Sequence, residues 1–208
     1  MVLADNSVEA VIAFWAVLTA NAVVVMVNPL TRRDKIGYLL RDCRAAGFIG
    51  DARLAAEFTE PVRESLHLRT VIVAGTMHDS LLEGGPHAVR WDDALAFGAG
   101  RPAPARTCLD IDLAAIVYTS GSTGDAKGVM LTHRNMLSAA TSVSVYLQIR
   151  SDDVLLCVLP LAFDYGLYQM IMAFRAGAQL VLERSFAFPA QILRVVEREH
   201  VTGFPGVP

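Results

Sequence analysis

The residues best suited to chemistry lie in one stretch, "YTSGSTGDAKGV", Tyr118 to Val129, directly after an apolar run. Gly121 and Gly124 flank Ser122 and Thr123, and Lys127 follows three positions on. Glycines let a backbone approach a polyphosphate with no Cβ in the way. The loop amides, with the hydroxyls of Thr119, Ser120, Ser122 and Thr123, supply many donors in a small space. Lys127 adds a compact positive charge. The pattern predicts a phosphate cradle formed by Thr119, Ser120, Gly121, Ser122, Thr123, Gly124 and Lys127. It is not the common nucleotide P-loop, which places glycine before its lysine and a hydroxyl residue after it. Here Ala126 precedes Lys127 and Gly128 follows it, and Gly-x-Gly-x-x-Gly is absent. A hydrophilic surface loop is the alternative reading of the same composition.

Elements must exist to hold this loop. Of 208 residues, 53% are hydrophobic and 19% charged, which implies many buried strands or an apolar surface covered by something else. Net charge is −3 with no basic block, which argues against a nucleic-acid partner. Cys43, Cys108 and Cys157 are scattered, without Cys-x-x-Cys spacing. They fit small buried residues of a reducing, cytoplasmic compartment better than a disulfide framework or a zinc site. The five histidines show no ligand spacing, so no metal site is predicted.

Ala10 to Val27 carries no charge over 18 residues, long enough for a membrane span. Its character changes midway, from helical composition to "AVVVMV" before Asn28-Pro29. That predicts a helix over 7–20 capped by Asn6, a turn at 19–21 and a buried strand over 22–27. A helix from Thr31 to Arg44 stops at Gly47, followed by strands at 47–51 and 69–75 with a helix over 53–67 between them. Residues 76–107 are rich in Gly, Pro and polar residues, interrupted by a short helix at "WDDALAFG". Strands then fall at "LAAIVYT", "GVMLTH", "DVLLCVLP" and "AQLVLE", with helices over 134–148, 165–177 and from Pro189. "VTGFPGVP" opens a further strand. Such repeated strand–helix units predict an α/β fold with covered, mostly parallel sheets. The organisation expected is a first α/β portion over 1–107 and a second over 108–208 that carries the phosphate loop.

"YTSGSTGDAKGVMLTHRN" resembles the signature loop of the AMP-forming adenylating enzymes, which include acyl-CoA synthetases, nonribosomal-peptide adenylation domains and luciferases. Ala126 stands where that family usually has proline. The resemblance extends through "NSVEAVIAFWAVLTANAVVVMVNP" and "VTGFPGVP", and "LPLAFDYGLYQ" resembles the acid-pocket motif. A similar "LPL-x-FDYGL" occurs in acyl-CoA ligases associated with exosortase A systems. The resemblance implies the large N-terminal domain of an enzyme that attacks Mg-ATP with a carboxylate, releases pyrophosphate, and passes the acyl group to coenzyme A or a carrier pantetheine. The cofactors implied are ATP, Mg²⁺ and the thiol.

The resemblance also implies that Phe163, Asp164, Tyr165 and Gly166 belong to the acid pocket. Amino-acid-activating relatives have Phe-Asp-x-Ser there, with the aspartate holding an ammonium; Gly166 replaces the serine. Asp164 is equally a good N-cap for the following helix. Tyr165 and Tyr168, three apart on that helix, suit packing. His133 suits a cap or a solvent-facing position, and 194–200 a solvated helix face. No Tyr-Gly-x-Thr-Glu, Thr-Gly-Asp or lysine-bearing lid domain occurs in the 208 residues. The expectation is an N-terminal piece of such an enzyme, inactive alone, with no catalytic residue of its own. Two rival readings are a non-catalytic phosphate-binding module and a membrane-anchored protein using residues 10–27.

Overall fold

The computed structural model describes residues 1–76, 85–119 and 125–206. Alternation along its strands divides the core in two. Val2 and Leu3 form β1 (Val2–Leu3), and consecutive side chains of a strand leave on opposite faces. β1 pairs in parallel with β2 (Met26–Val27) and β3 (Gly47–Asp51). Beyond β3 come β4 (Thr70–Ala74) and β5 (His87–Arg90), also parallel, in the order β2-β1-β3-β4-β5. Val2, Val24 and Met26 pack on one side with residues of α1 (Val8–Thr19), α5 (His133–Tyr146) and α6 (Asp164–Ala176). Leu3, Val25, Val27, Phe48, Val71 and Val73 pack on the other with α2 (Arg33–Asp42) and α3 (Ala55–Glu64). A sheet buried on both faces explains the near-continuous apolar runs of its strands.

The second half adds β6 (Leu113–Thr119) and β7 (Lys127–Thr132), then β8 (Val154–Cys157) and β9 (Gln179–Leu182), a parallel pair. Val24 joins β6 to the first sheet: its amide donates to the Ala114 carbonyl at 2.9 Å, and Ile116 N–H donates to the Val24 carbonyl at 3.0 Å. α4 (Trp91–Gly98) follows β5, and α7 (Pro189–Arg198) begins on its proline as expected. α6 closes on Gly177 at φ 74°, a left-handed conformation that a Cβ would strain.

Residues 10–27 break as expected. α1 ends at Thr19, Asn21 takes φ 56°, and the chain runs on into β2. Among the described residues no helix is long and apolar enough to cross a membrane.

Several local expectations are corrected. Asn6 does not cap α1; Ser7 does, accepting from Ala10 N–H at 3.2 Å. The reversal after α2 falls on Arg44 at φ 48°, and Gly47 already belongs to β3. β1 and β5 are not anticipated by the sequence, because two and four residues show too little periodicity. Among its described residues, the segment from Val201 forms only an isolated bridge, Gly203 to Leu155. Of the three cysteines, only Cys157 is buried; Cys43 and Cys108 are partly exposed.

Candidate active-site cleft

The glycine-hydroxyl stretch lies between two strands, as expected, but their pairing is not parallel. β6 and β7 are antiparallel, so the segment closes a hairpin, with Thr119 directly opposite Lys127. Strand–helix alternation elsewhere in the chain suggested parallel pairing, but a short excursion of this length suits an antiparallel return. Thr119 and Lys127 end the two stems and are exposed. Ser120, Gly121, Ser122, Thr123 and Gly124 lie outside the described residues.

The stems are fixed by sequence details. Gly128 is required by close packing: a Cβ there would stand 2.7 Å from Ile116 Cγ2. Ala126 is buried, and its carbonyl accepts from the Tyr38 hydroxyl at 3.0 Å. The Tyr118 hydroxyl donates to Asp42. Burial, then the Asp42 carboxylate, raise the Tyr118 phenol far above its ordinary range, so it stays a donor. Beyond β7, Thr132 caps α5 through a capping box with Asn135. His133 is therefore the first residue of the helix and not its cap.

Beside the stems opens a cleft of about 840 Å³. Its walls come from the carboxyl ends of β2 and β6, the start of α2, β7 and the start of α6. This is the usual ligand position in an open α/β sheet. Thr119, Phe163, Asp164 and Tyr168 all face it, while Lys127, Tyr165 and Gly166 are not part of its wall. Val117, Val129, Leu131 and Ala162 make much of the lining apolar. Tyr168 thus has two roles, since it also packs against the core. Burial, then the neighbouring Asp164 carboxylate, raise its phenol above the ordinary range.

Asp164 is the first residue of α6; the cap position is Phe163, which makes no side-chain cap bond. The Asp164 carboxylate accepts from Tyr165 N–H at 2.8 Å and is exposed to the cleft. Gly166 packs against backbone, where an added Cβ would lie 2.4 Å from the Pro160 carbonyl oxygen. The motif's loop is held from afar by Asn6, whose Nδ2 donates to the Leu159 and Glu183 carbonyls at 2.9 and 3.1 Å.

Sequence reasoning missed the α2 side of the cleft: Asn28, Thr31, Arg32 and Lys35. Asn28 makes a turn, accepting from Leu30 N–H at 2.9 Å through its side chain, and α2 then starts with cations. Arg32 pairs with Glu57 at 2.8 Å. The signal was present in "NPLTRRDK", an Asn-Pro turn straight after a buried strand.

Helices on both faces of a mostly parallel sheet, with a cleft at the strand ends beside β6 and β7, define an α/β chain. The chain belongs to the family described as AMP-binding enzyme, whose sequence profile matches residues 1–208. It is 32% identical over 215 residues to 4-coumarate–CoA ligase 5 of Oryza sativa subsp. japonica, covering 100% of this chain and 37% of the relative. It is also 32% identical over 197 residues to the phosphinothricin tripeptide synthetase PhsC of Streptomyces viridochromogenes, covering 94% of this chain and 16% of that protein. Among solved structures, the inhibitor-bound N-terminal domain of FACL13 from Mycobacterium tuberculosis matches with a TM-score of 0.80 and 25% identity, over 100% of this chain and 49% of that one. The anthranilate CoA ligase AuaEII, in complex with anthranoyl-AMP, shares the fold with a TM-score of 0.80 at 22% identity, over 98% of this chain and 38% of its own. The chain spans little more than a third of the length of the coumarate ligase that it matches.

Proposed function

We propose that this chain carries the pyrophosphate-gripping loop and the acid cleft of an enzyme that activates a carboxylic acid as its adenylate and transfers it to a thiol. One observation carries this reading. Thr119, at the end of the phosphate-loop stem, and Phe163, Asp164 and Tyr168 of the acid-pocket motif face a single cleft. An acid bound along α6 would then meet a nucleotide whose polyphosphate lies over the hairpin. In that reaction the carboxylate oxygen bonds to the α-phosphorus and the bond to the β-phosphate bridge breaks. Pyrophosphate leaves with the electron pair, so negative charge grows on the β- and γ-phosphates. In this reading the amides and hydroxyls of 119–124 and the Lys127 ammonium would stabilise it. Mg²⁺ would neutralise the same oxygens, and the thiol acceptor would be coenzyme A or a carrier pantetheine. The two portions, 1–107 and 108–208, would supply the α2 wall and the hairpin–α6 wall respectively.

The apolar lining favours an aryl or alkyl acid over an amino acid, and so does Gly166. The serine of Phe-Asp-x-Ser would place a Cβ 2.4 Å from the Pro160 carbonyl oxygen.

Calorimetric titration of the 208-residue chain with MgATP and magnesium pyrophosphate tests the reading. Saturable binding is expected, weakened about 10- to 100-fold by Lys127→Ala, the loss of one charge-assisted hydrogen bond. Absence of binding, or indifference to Lys127→Ala, overturns it. Non-hydrolysable acyl-adenylate analogues identify the acid: aryl and alkyl forms are expected to bind more tightly than aminoacyl forms. An aminoacyl preference that Asp164→Ala abolishes would assign the amino-acid class instead.

A further inference from the structure

Tyr38 and Asp42 stand one turn apart on α2, so they share a helix face. One bonds to β6 and the other to the residue just ahead of β7. The Tyr38 hydroxyl donates to the carbonyl of Ala126, the residue before Lys127, at 3.0 Å. The Asp42 carboxylate accepts from the hydroxyl of Tyr118, the residue before Thr119. These bonds fall at the loop ends of the stems, where Tyr118 pairs with Gly128 and Thr119 with Lys127. An added Cβ on Gly128 would touch the Tyr118 ring at 3.4 Å, so the phenol lies close over bare backbone and is held on that side too. The same helix presents Lys35 and Leu39 to the cleft, and its N-cap residue Arg32 lies there too. α2 is therefore the common mount of the cleft wall and of both stems.

We propose that Tyr38 and Asp42 are positioning residues: a clamp that fixes both stem ends against α2 and so presents Thr119 and Lys127 to a polyphosphate beside the cleft wall. The inference rests on the reading of the hairpin as the phosphate site. It differs from that reading in assigning the geometry of the grip to side chains that touch no phosphate. The ladder sets the register of one stem on the other, and the two bonds fix both stem ends to α2. Held together by an i, i+4 pair on a rigid helix, the two ends keep one separation.

The test uses Tyr38→Phe, which removes one hydroxyl, and Asp42→Ala, with Asp42→Asn keeping an acceptor for Tyr118. Hydrogen exchange is followed at the amides of 118–119 and 126–128, alongside MgATP and pyrophosphate affinity and the thermal midpoint. Tyr38→Phe and Asp42→Ala are expected to speed stem exchange and weaken both ligands about 5- to 20-fold, the size expected for one hydrogen bond. Exchange in β4 and α3 stays unchanged, and Asp42→Asn remains within about 2-fold of the parent for the same reason. Unchanged stem exchange overturns the clamp. Faster stem exchange with unaltered affinity overturns its positioning role. Faster exchange throughout the chain shows general destabilisation and overturns it as well. If the parent chain binds neither ligand, the phosphate reading falls on its own, and stem exchange still decides whether the clamp exists.

Discussion

Leu161 N–H donates to Asn6 Oδ1 at 3.0 Å, across 155 positions of sequence. Asn6 is buried, and its Nδ2 donates in turn to the carbonyls of Leu159 and Glu183. One side chain just ahead of α1 therefore ties together the 159–161 loop and the end of β9.

Asn6→Ala would orphan one buried amide and two carbonyls. Leaving buried polar groups unpaired is the costly way to lose a hydrogen bond. A loss of about 2–4 kcal/mol in unfolding free energy is expected, with part of it concentrated at 159–161. Denaturant melts and residue-resolved hydrogen exchange check this. A change below about 0.5 kcal/mol, the range of an ordinary surface substitution, would contradict it.

Gly166 is fixed by a close approach and not by its backbone angles. A Cβ would meet the carbonyl oxygens of Pro160 and Leu159 at 2.4 and 2.6 Å, and backbone cannot swing aside as a side chain can. Gly166→Ala is expected to destabilise by about 3 kcal/mol, the scale of overpacking. It should also shift the start of α6, and with it Phe163 and Asp164. The checks are the thermal midpoint and the affinity for an acyl-adenylate analogue; both should fall together.

Legibility in the sequence followed the range of the physics. α1, α2, β3, β4, α6 and α7 could be read because their signals are local: apolar periodicity, Pro189 at a helix start, Gly177 at a helix end. The family could be read because the glycine-hydroxyl stretch carries particular residue types at particular spacing, and the family's profile matches residues 1–208. What could not be read depends on distant partners. The antiparallel pairing of β6 and β7, the role of Asn6, and the α2 wall of the cleft are each set by contacts between segments far apart in the chain or by strand direction. β1 lies inside its sheet, between β2 and β3, yet is only two residues long, too short to announce itself.

Asp51 should govern stability in acid. It is buried, which alone would raise its pKa, but the Arg53 side chain and backbone amide hold the carboxyl below the usual carboxylate range. Arg53 Nε lies 3.0 and 3.1 Å from its two oxygens. A depressed folded value means that the stabilisation is complete above the unfolded pKa of 3.8 and is lost as pH falls through the folded value. Unfolding free energy measured from pH 6 downward should fall less steeply below about pH 4 in Asp51→Asn than in the parent. Equal slopes would count against the ion pair.

Cys157 should govern part of the alkaline branch, with the opposite sign. Burial is the dominant cause that pushes its thiol up to about 11, and the thiol donates to the Leu159 carbonyl at 3.3 Å. The unfolded chain ionises this group near 9 and the folded chain does not until about 11. The unfolded state therefore releases a proton first, and stability falls as pH rises between those values. Cys157→Ala should remove about one proton from that slope while costing some packing at every pH. The thiolate is the reactive form, so Cys157 should also react with an alkylating reagent far more slowly than Cys43 and Cys108, which are partly exposed. Urea unfolding of parent and variant at pH 8, 9 and 10, with mass-spectrometric mapping of alkylation in the native state, reads both effects. An alkaline slope unchanged by Cys157→Ala, or equal labelling of all three thiols, would show that the β8 end is open to solvent.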